Sequence, residues 1–342
     1  IHIVVVACRG KSLEIVNEAA TMIKSAIVFS KTKLNIHIFT ENLEDEFRKK
    51  FSEWPLSANM NIRLTFHRLS YPLDSNELKL MKNWWGPCAS FRLFLPTVLE
   101  NIDSILYVDS DVLFLSPPED LWNHFNLFDQ RQVAALAPRV GWNFQVPPEN
   151  VNFIQMRDGK KTQVNSGVFL MNLTRMRQPV FATDPDISKT KSSWQKELLF
   201  PLYRLHKEYM IGDQNLINVV FHFNPDLLYF LPCKFNYHHK FCFDAYRDRW
   251  CTSAENDGAA VIHGNANTFY NNYAPTFRVI NDAMKKYNFE RDLERFLMLP
   301  MEQGLSDPNV ENHIHCGNKT KLFLKSIRKM IWKIYQRRRR ER

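Results

Sequence analysis

Apolar positions along the chain fall into two alternating rhythms. Residues 1–7 form a short continuous apolar run of the kind a buried parallel strand carries. Leu13, Val16, Ala20, Ile23 and Ile27 then recur at helical spacing behind Ser12, which predicts a helix with Ser12 as its N-cap. A strand over 36–40, a charged amphipathic stretch over 43–51 and an alternating strand over 61–67 follow. This order opens an α/β fold. Further along, 91–99 reads as a helix, 104–108 as a buried strand, 133–137 and 168–171 as strands, and 194–206 and 213–223 as helices. No repeat and no linker divides the sequence, which predicts a single two-lobed domain.

Two segments depart from that rhythm. Residues 138–163 are polar, carry Pro147-Pro148 and show no period. A loop this long is either functional or disordered, so a mobile segment over a site and plain disorder both stand as readings. Near the end, Phe323, Ile327, Met330, Ile331 and Ile334 share one helical face, and Lys321, Lys325, Arg328 and Lys329 share the other. The expectation is a basic C-terminal helix docked through its apolar face, fraying at 337–340. Attraction to an anionic membrane surface or an acidic partner is the alternative.

Composition narrows the classes. With 342 residues, 45% hydrophobic content and 13% aromatic, and 10 Gly and 17 Pro without a period, disordered, collagen-like and low-complexity classes are excluded. The net charge of +9 suggests nucleic acid until it is located. From Lys319 to Arg342 there are eleven Lys and Arg against Glu341 alone, so the body is close to neutral. A nucleic-acid-binding domain carries its basic footprint on the body together with a reading motif, and neither is present. No stretch reaches the roughly 18 apolar residues of a membrane span. The chain opens on Ile1 rather than Met, and a type II membrane protein whose N-terminal anchor is missing is the expectation.

Cys233, Cys242 and Cys251 are evenly spaced in an aromatic-rich region, Cys316 lies in a polar stretch, and Cys8 and Cys88 sit in apolar contexts. Two disulfides among the later four are expected. The alternative is a metal site recruiting His238, His239, His313 or His315, although no C-x-x-C pair supports zinc. Sequons at Asn172-Leu173-Thr174 and Asn318-Lys319-Thr320 fit a secretory compartment, and together these features point to the lumen of the endoplasmic reticulum or Golgi.

The run Ile105-Leu106-Tyr107-Val108-Asp109-Ser110-Asp111-Val112-Leu113-Phe114 carries the chemistry. A buried strand ends and delivers two carboxylates one residue apart, at the edge where parallel sheets bind ligands. In an apolar setting such carboxylates repel unless a cation such as Mn²⁺ or Mg²⁺ neutralises them. Asp184-Pro185-Asp186 repeats the pattern without the hydrophobic flanks. A turn with two solvated Asp is the bland reading. Haloacid-dehalogenase-like phosphatases also place Asp-x-Asp after a strand, but their motif opens the fold, and Gly212-Asp213-Gln214 is followed here by Asn215 and no nearby second Asp.

Arg92 in Ala89-Ser90-Phe91-Arg92, Asp109-x-Asp111, Asn165-Ser166-Gly167-Val168, Gly212-Asp213-Gln214 and His263-Gly264-Asn265 occur in an order that resembles glycosyltransferase family 8, retaining enzymes of the Rossmann-like GT-A fold. Pro87-Cys88-Ala89-Ser90, the run from Asn165 to Asn172 and Pro232-Cys233 look like the glucoside xylosyltransferases, which add xylose from UDP-xylose to O-linked glucose on epidermal-growth-factor-like repeats. The resemblance implies a catalytic domain over 1–300, with a nucleotide-sugar-binding half at 1–137 and an acceptor-side half at 138–300, and an extension at 301–342. A phosphatase and a catalytically silent sugar- or protein-binding module remain the rival classes.

The same resemblance implies that Asp109, Asp111 and His263 hold Mn²⁺, a set that imidazole and carboxylates suit. It places Ala7 and Cys8 against the uracil, Arg92 on the diphosphate or sugar, and Ser166, Gly167 and Gly264 around the donor. Asn165, Asp213 and Gln214 would face the donor sugar. Read alone, Asn165-Ser166-Gly167 makes a turn, Asp213 a helix N-cap and Arg92 a helix-surface arginine. Family members continue the His motif into Lys-Pro-Trp, whereas Asn265-Ala266-Asn267-Thr268-Phe269-Tyr270 follows here with no lysine. Trp84, Trp85 and Trp142 are candidates for stacking on the acceptor, and Trp85, Phe169 or Met171 for the wall that selects xylose.

Overall fold

The structure, a computed structural model, describes residues 1–8, 13–84, 88–140, 154–156, 159–183, 191–210, 212–242, 251–290 and 292–340. Its centre is built from the apolar runs. β1 (His2–Val6), β2 (Leu34–Thr40) and β3 (Ile62–Arg68) run parallel, and β4 (Ser104–Val108) lies parallel on the other side of β1. β5 (Val112–Phe114) leaves this sheet. β6 (Ala134–Arg139) and a two-residue β7 (Ile154–Gln155) both pair with β8 (Lys161–Asn172), which runs antiparallel between β4 and β6. β9 (Phe181–Ala182) and β10 (Lys191–Ser192) pair with each other, and β11 (Leu228–Phe230) closes the edge beside β6. β12 (Tyr237–His238) and β13 (Val261–His263) form a small second sheet with β5.

The main sheet has the order β11-β6-β8-β4-β1-β2-β3. The chain leaves β1 to one side for β2 and β3 and then crosses to β4 on the other, so the carboxyl ends of β1 and β4 flank a topological switch point, where such sheets leave a crevice. Both faces are covered, as parallel strands require. Ile3 and Val5 pack towards the helix Leu13–Phe29, and Val4 and Val6 towards Trp194 and the helices Lys196–His206 and Asp213–Phe223.

Several expectations change in detail. Val16, Ala20, Ile23 and Ile27 are buried as predicted, but Leu13 in the first turn is 62% exposed, and Ser12 lies outside the described residues. The helix expected over 91–99 is a 3₁₀ segment, Ala89–Phe94, followed by one α-turn, Leu95–Val98. Pro96 lacks the N–H that a continuous helix would use, so the helix restarts there. The loop expected over 138–163 is shortened from both sides: Pro138 and Arg139 finish β6, Ile154–Gln155 pair with β8, and 161–163 begin it. Of the segment 138–163 read as mobile, residues 141–153 and 157–158 lie outside the described residues.

The C-terminal helix Thr320–Arg340 docks as expected, with Phe323, Ile327, Met330 and Ile331 buried and Lys321, Lys325, Arg328 and Lys329 exposed. It continues through 337–340 rather than fraying. Arg328 pairs with Glu302, and Lys325 caps the carbonyls of Glu255 and Asn256. Among the described residues no helix is long and apolar enough to cross a membrane.

All six cysteines are paired. Cys233–Cys251 and Cys242–Cys316 are the two expected disulfides, which leaves no thiolate for the alternative metal site. Cys8–Cys88 is the third, formed by the two cysteines in apolar contexts, for which no pairing was expected. It ties the end of β1 to the segment that carries Arg92.

Three histidines cross the first three strands. His2 Nδ1 meets His37 Nε2 at 2.9 Å and His37 Nδ1 meets His67 Nε2 at 2.9 Å, with successive rings stacked 5.2 Å apart. Burial, with His67 and His2 alongside, lowers His37 to about 4, and burial lowers His2 and His67 as well. A folded value below the unfolded one gives stability that is complete above about 6.5 and lost as pH falls towards 4. The melting temperature is therefore expected to fall between pH 6.5 and 4, and less steeply in His37→Phe; identical profiles for the two proteins would contradict this account.

Candidate active site

The site forms where the two sheets meet. β4 ends at Val108, the Asp109 N–H bonds the Gly167 carbonyl at 2.9 Å, and the chain turns through Ser110, whose hydroxyl donates to Glu18, into β5. β5 pairs antiparallel with β13 so that Val112 faces His263. That register sets the His263 ring beside both carboxylates: Nε2 lies 3.3 Å from Asp111 Oδ1 and 3.8 Å from Asp109 Oδ2. Gly167 lies behind the ring, where a Cβ would come within 2.1 Å of it, so the residue must be glycine. Gly264 is held in the same way against Phe269, at 2.4 Å.

The hydrogen bonds settle where the protons are. The Gly167 N–H donates to Asn165 Oδ1, and Asn236 Nδ2 donates to the Asn165 carbonyl and to Oδ1. The amide oxygen of Asn236 therefore faces His263 Nδ1 at 3.0 Å and takes its proton. The Nε2 of a neutral His263 is then a lone pair aimed at two carboxylates, so three acceptor atoms converge with no donor among them. Burial works against charge on His263, yet Asp111 raises it above the usual imidazole value. Burial alone would raise Asp111, and His263 draws it down. The cluster demands positive charge, and a divalent cation meets that demand with a ligand set such ions accept.

Asp109 is held from behind. Burial raises Tyr107 well above the usual phenol value, so its hydroxyl keeps its proton and donates to Asp109 Oδ1 at 2.6 Å. Arg92 Nη1 reaches the same oxygen at 3.0 Å and the Ser166 carbonyl at 2.9 Å, and Nε lies 2.6 Å from Asp213 Oδ2. Arg92 is 5% exposed, far from a helix-surface position, and its guanidinium bridges two carboxylates. The contact with Asp213 is an ion pair without hydrogen-bond alignment, and burial raises that carboxyl against the pull of Arg92. Gly212 is the N-cap and Asp213 the first helical residue, which corrects the N-cap reading.

Arg92, Asp109, Asp111, Asn165, Ser166, Gln214 and His263 line one pocket of about 250 Å³. Ala7, Cys8, Gly167, Asp213 and Gly264 do not; Ala7 and Cys8 are buried at the end of β1. Gln214 Oε1 accepts from the Ser166 N–H at 3.0 Å, which fixes the orientation of its amide. Asn165, Ser166 and Gly167 lie within β8 rather than in a turn. Pairing with β6 jumps from Leu136–Phe169 to Ala137–Asn165, and the residues between bulge towards Asp109. Phe169 and Met171 are sealed in the core beside Trp194, which removes them as a wall for the donor sugar. Trp85, Trp142 and Asp184-Pro185-Asp186 lie outside the described residues, as does the side chain of Trp84. Sequence reasoning missed Tyr107, Asn236, Arg139 and Lys240 and offered His238 only to the alternative metal site; Arg139, His238 and Lys240 line the pocket.

The fold and the acidic cluster define a candidate divalent-cation site at a sheet switch point, and the family comparison gives its class. The sequence matches the profile "Glycosyl transferase family 8" over residues 12–268, and the chain belongs to that family. Within it, the chain is 38% identical to glucoside xylosyltransferase 1 of Gallus gallus over 337 residues, covering 96% of this chain and 72% of the relative. Against glucoside xylosyltransferase 2 of Xenopus laevis it is 36% identical over 344 residues, covering 98% and 76%. Membership makes it a glycosyltransferase and sets the phosphatase class aside. The fold is that of mouse xyloside xylosyltransferase 1 in its apo form, with a TM-score of 0.55 at 19% identity over 78% of this chain and 98% of that one. Galactosyltransferase LgtC in complex with donor and acceptor sugar analogues gives 0.53 at 19% over 88% and 96%.

Proposed function

We propose that this chain transfers xylose from UDP-xylose, with retention, in α linkage onto O-linked glucose of epidermal-growth-factor-like repeats, using Mn²⁺ or Mg²⁺. The convergence of Asp109 Oδ2, Asp111 Oδ1 and His263 Nε2 beside a pocket that contains Gln214 carries this reading, together with the near full-length similarity to glucoside xylosyltransferases. A divalent cation on these ligands supplies charge for a departing diphosphate. Tyr107 and Arg92 hold Asp109 in place, and Asn236 holds His263 in the ligating tautomer.

Retention is argued from the two residues at the head of the helix Asp213–Phe223. Asp213 is 4% exposed and paired with Arg92, which withholds it as a nucleophile. Gln214 is in the pocket, and its amide is too weak a nucleophile to carry a covalent glycosyl intermediate. The acceptor then attacks from the side the leaving group departs. Three disulfides fit an oxidising lumen such as that of the endoplasmic reticulum or Golgi. Of the two sequons, Asn318 is exposed, whereas the Asn172 side chain accepts from the Arg175 N–H as a helix cap.

The test offers UDP-xylose, UDP-glucose, UDP-galactose and UDP-N-acetylglucosamine with Mn²⁺ and an O-glucosylated epidermal-growth-factor-like repeat. Transfer from UDP-xylose is expected to lead, with an α linkage by NMR. Equal or faster transfer from UDP-glucose overturns the xylose assignment, and a β-linked product overturns retention.

A further inference from the structure

A row of rings leads away from the pocket on the side of Asn265 and Lys240, both of which line it. His239 is buried, and its Nδ1 lies 3.1 Å from Asn265 Oδ1. The ring of Tyr273 stands edge-on to His239 at 5.5 Å, and the ring of His315 lies 4.5 Å beyond Tyr273. Exposure rises along the row, from 3% at His239 to 46% at Tyr273. Ile314, adjoining His315 in the chain, is 83% exposed, the most of any large apolar side chain among the described residues. Burial lowers His239 to about 4 and lowers His315 as well, so at neutral pH the row presents ring surface without charge.

The backbone beneath the row is fixed. Cys242–Cys316 joins the segment of His239 to that of Ile314 and His315. Asn271 Nδ2 donates to the Ala266 carbonyl and the Tyr273 N–H to Asn271 Oδ1, each at 3.0 Å, which ties Tyr273 to the turn after His263. Ala266 and Cys316 take positive φ in the two turns, a conformation that side chains other than glycine hold only where their surroundings over-determine it. A tyrosine and an isoleucine held in this way are already ordered, so a surface that covers them loses little entropy in doing so.

The occupant follows from the acceptor reading above, on which this inference rests. One glucose separates the acceptor polypeptide from the transferred sugar, so a polypeptide whose glucose enters the pocket lies against the rim. Uncharged rings and an isoleucine suit the side chains and backbone of a protein, where aromatic anchors carry much of the binding. We propose that Tyr273 and Ile314 form a docking surface for the glucose-bearing polypeptide, beside the pocket that takes its sugar.

The test assays the full chain with UDP-xylose and Mn²⁺ on the O-glucosylated epidermal-growth-factor-like repeat and on 4-nitrophenyl glucoside, which offers the sugar without the polypeptide. Hydrolysis of UDP-xylose without acceptor reports on the donor site alone. Tyr273→Ala is expected to raise the KM for the repeat about tenfold and Ile314→Ser several-fold, as loss of an interface anchor does. Hydrolysis, the KM for UDP-xylose and transfer to the small glucoside are expected to stay unchanged, and Tyr273→Phe to keep the wild-type KM for the repeat. Melting temperatures check folding, and Ile314→Ser, at an exposed position, decides the matter if Tyr273→Ala unfolds. An unchanged KM for the repeat, or an equal loss in hydrolysis or on the small glucoside, overturns the docking surface and leaves the transferase reading standing. A wild type that uses the small glucoside but not the repeat overturns the surface together with the acceptor reading, and one that uses neither overturns the proposed function as well.

Discussion

Arg92→Met is expected to cost about 3–5 kcal/mol of folding stability and to abolish transfer. The side chain is almost wholly enclosed, and burial works against its charge, but Asp109 and Asp213 more than restore it. Methionine fills much of the volume and leaves the buried Asp213 and the partly buried Asp109 without their cation. Breaking such a pair from one side is the costly case, because the remaining charges cannot return to water. Urea denaturation measures the loss, and combining Arg92→Met with Asp213→Asn is expected to recover part of it by removing one stranded charge. A single variant within 1 kcal/mol of the wild type would refute the bridging role.

Asp111→Asn is expected to lower the transfer rate about a hundredfold, as removal of a key electrostatic group does in other sites. Asparagine keeps the shape and an acceptor oxygen but not the charge, so Mn²⁺ affinity, read by calorimetry, is expected to fall with the rate. His263→Ala is expected to match it, and a chelator to abolish activity in the wild type. Asp109→Asn is expected to differ in kind. Asp109 also binds Arg92 and Tyr107, so that variant loses stability as well as metal, whereas Asp111→Asn keeps its melting temperature. Full activity in chelated protein or in Asp111→Asn would remove the cluster from the reaction.

The two aspartates were legible because a strand announces itself by its apolar run, and charge at its end is conspicuous. His263 was legible only through the family resemblance, since a lone histidine in an apolar stretch has no pattern of its own. Asn236, which decides the tautomer of that histidine, gave no signal. It acts through a register between β12 and β13, and pairing of distant segments is not written in local periodicity. Cys8–Cys88 spans 80 residues, and only the even number of cysteines hinted at it. The 3₁₀ segment that buries Arg92 was mistaken for an α-helix because its apolar spacing fits both, and Pro96 was the overlooked punctuation. Lys240 was invisible for the same reason as Asn236.

Cys242–Cys316 and the docked helix Thr320–Arg340 mean that the family signature and the folding unit differ in length. The signature stops at residue 268, yet Lys240 is tethered through Cys242 to Cys316, and Phe323 and Ile327 complete the core. A gene fragment cut at the signature would yield a chain with an orphaned thiol and a bare apolar wall, prone to aggregate before it could be assayed. Among orthologues, positions 323, 327 and 330 are expected to drift only between apolar residues, while 321, 325 and 329 vary freely. Selection on the donor pocket thus reaches a segment that a reading confined to the motifs would treat as dispensable.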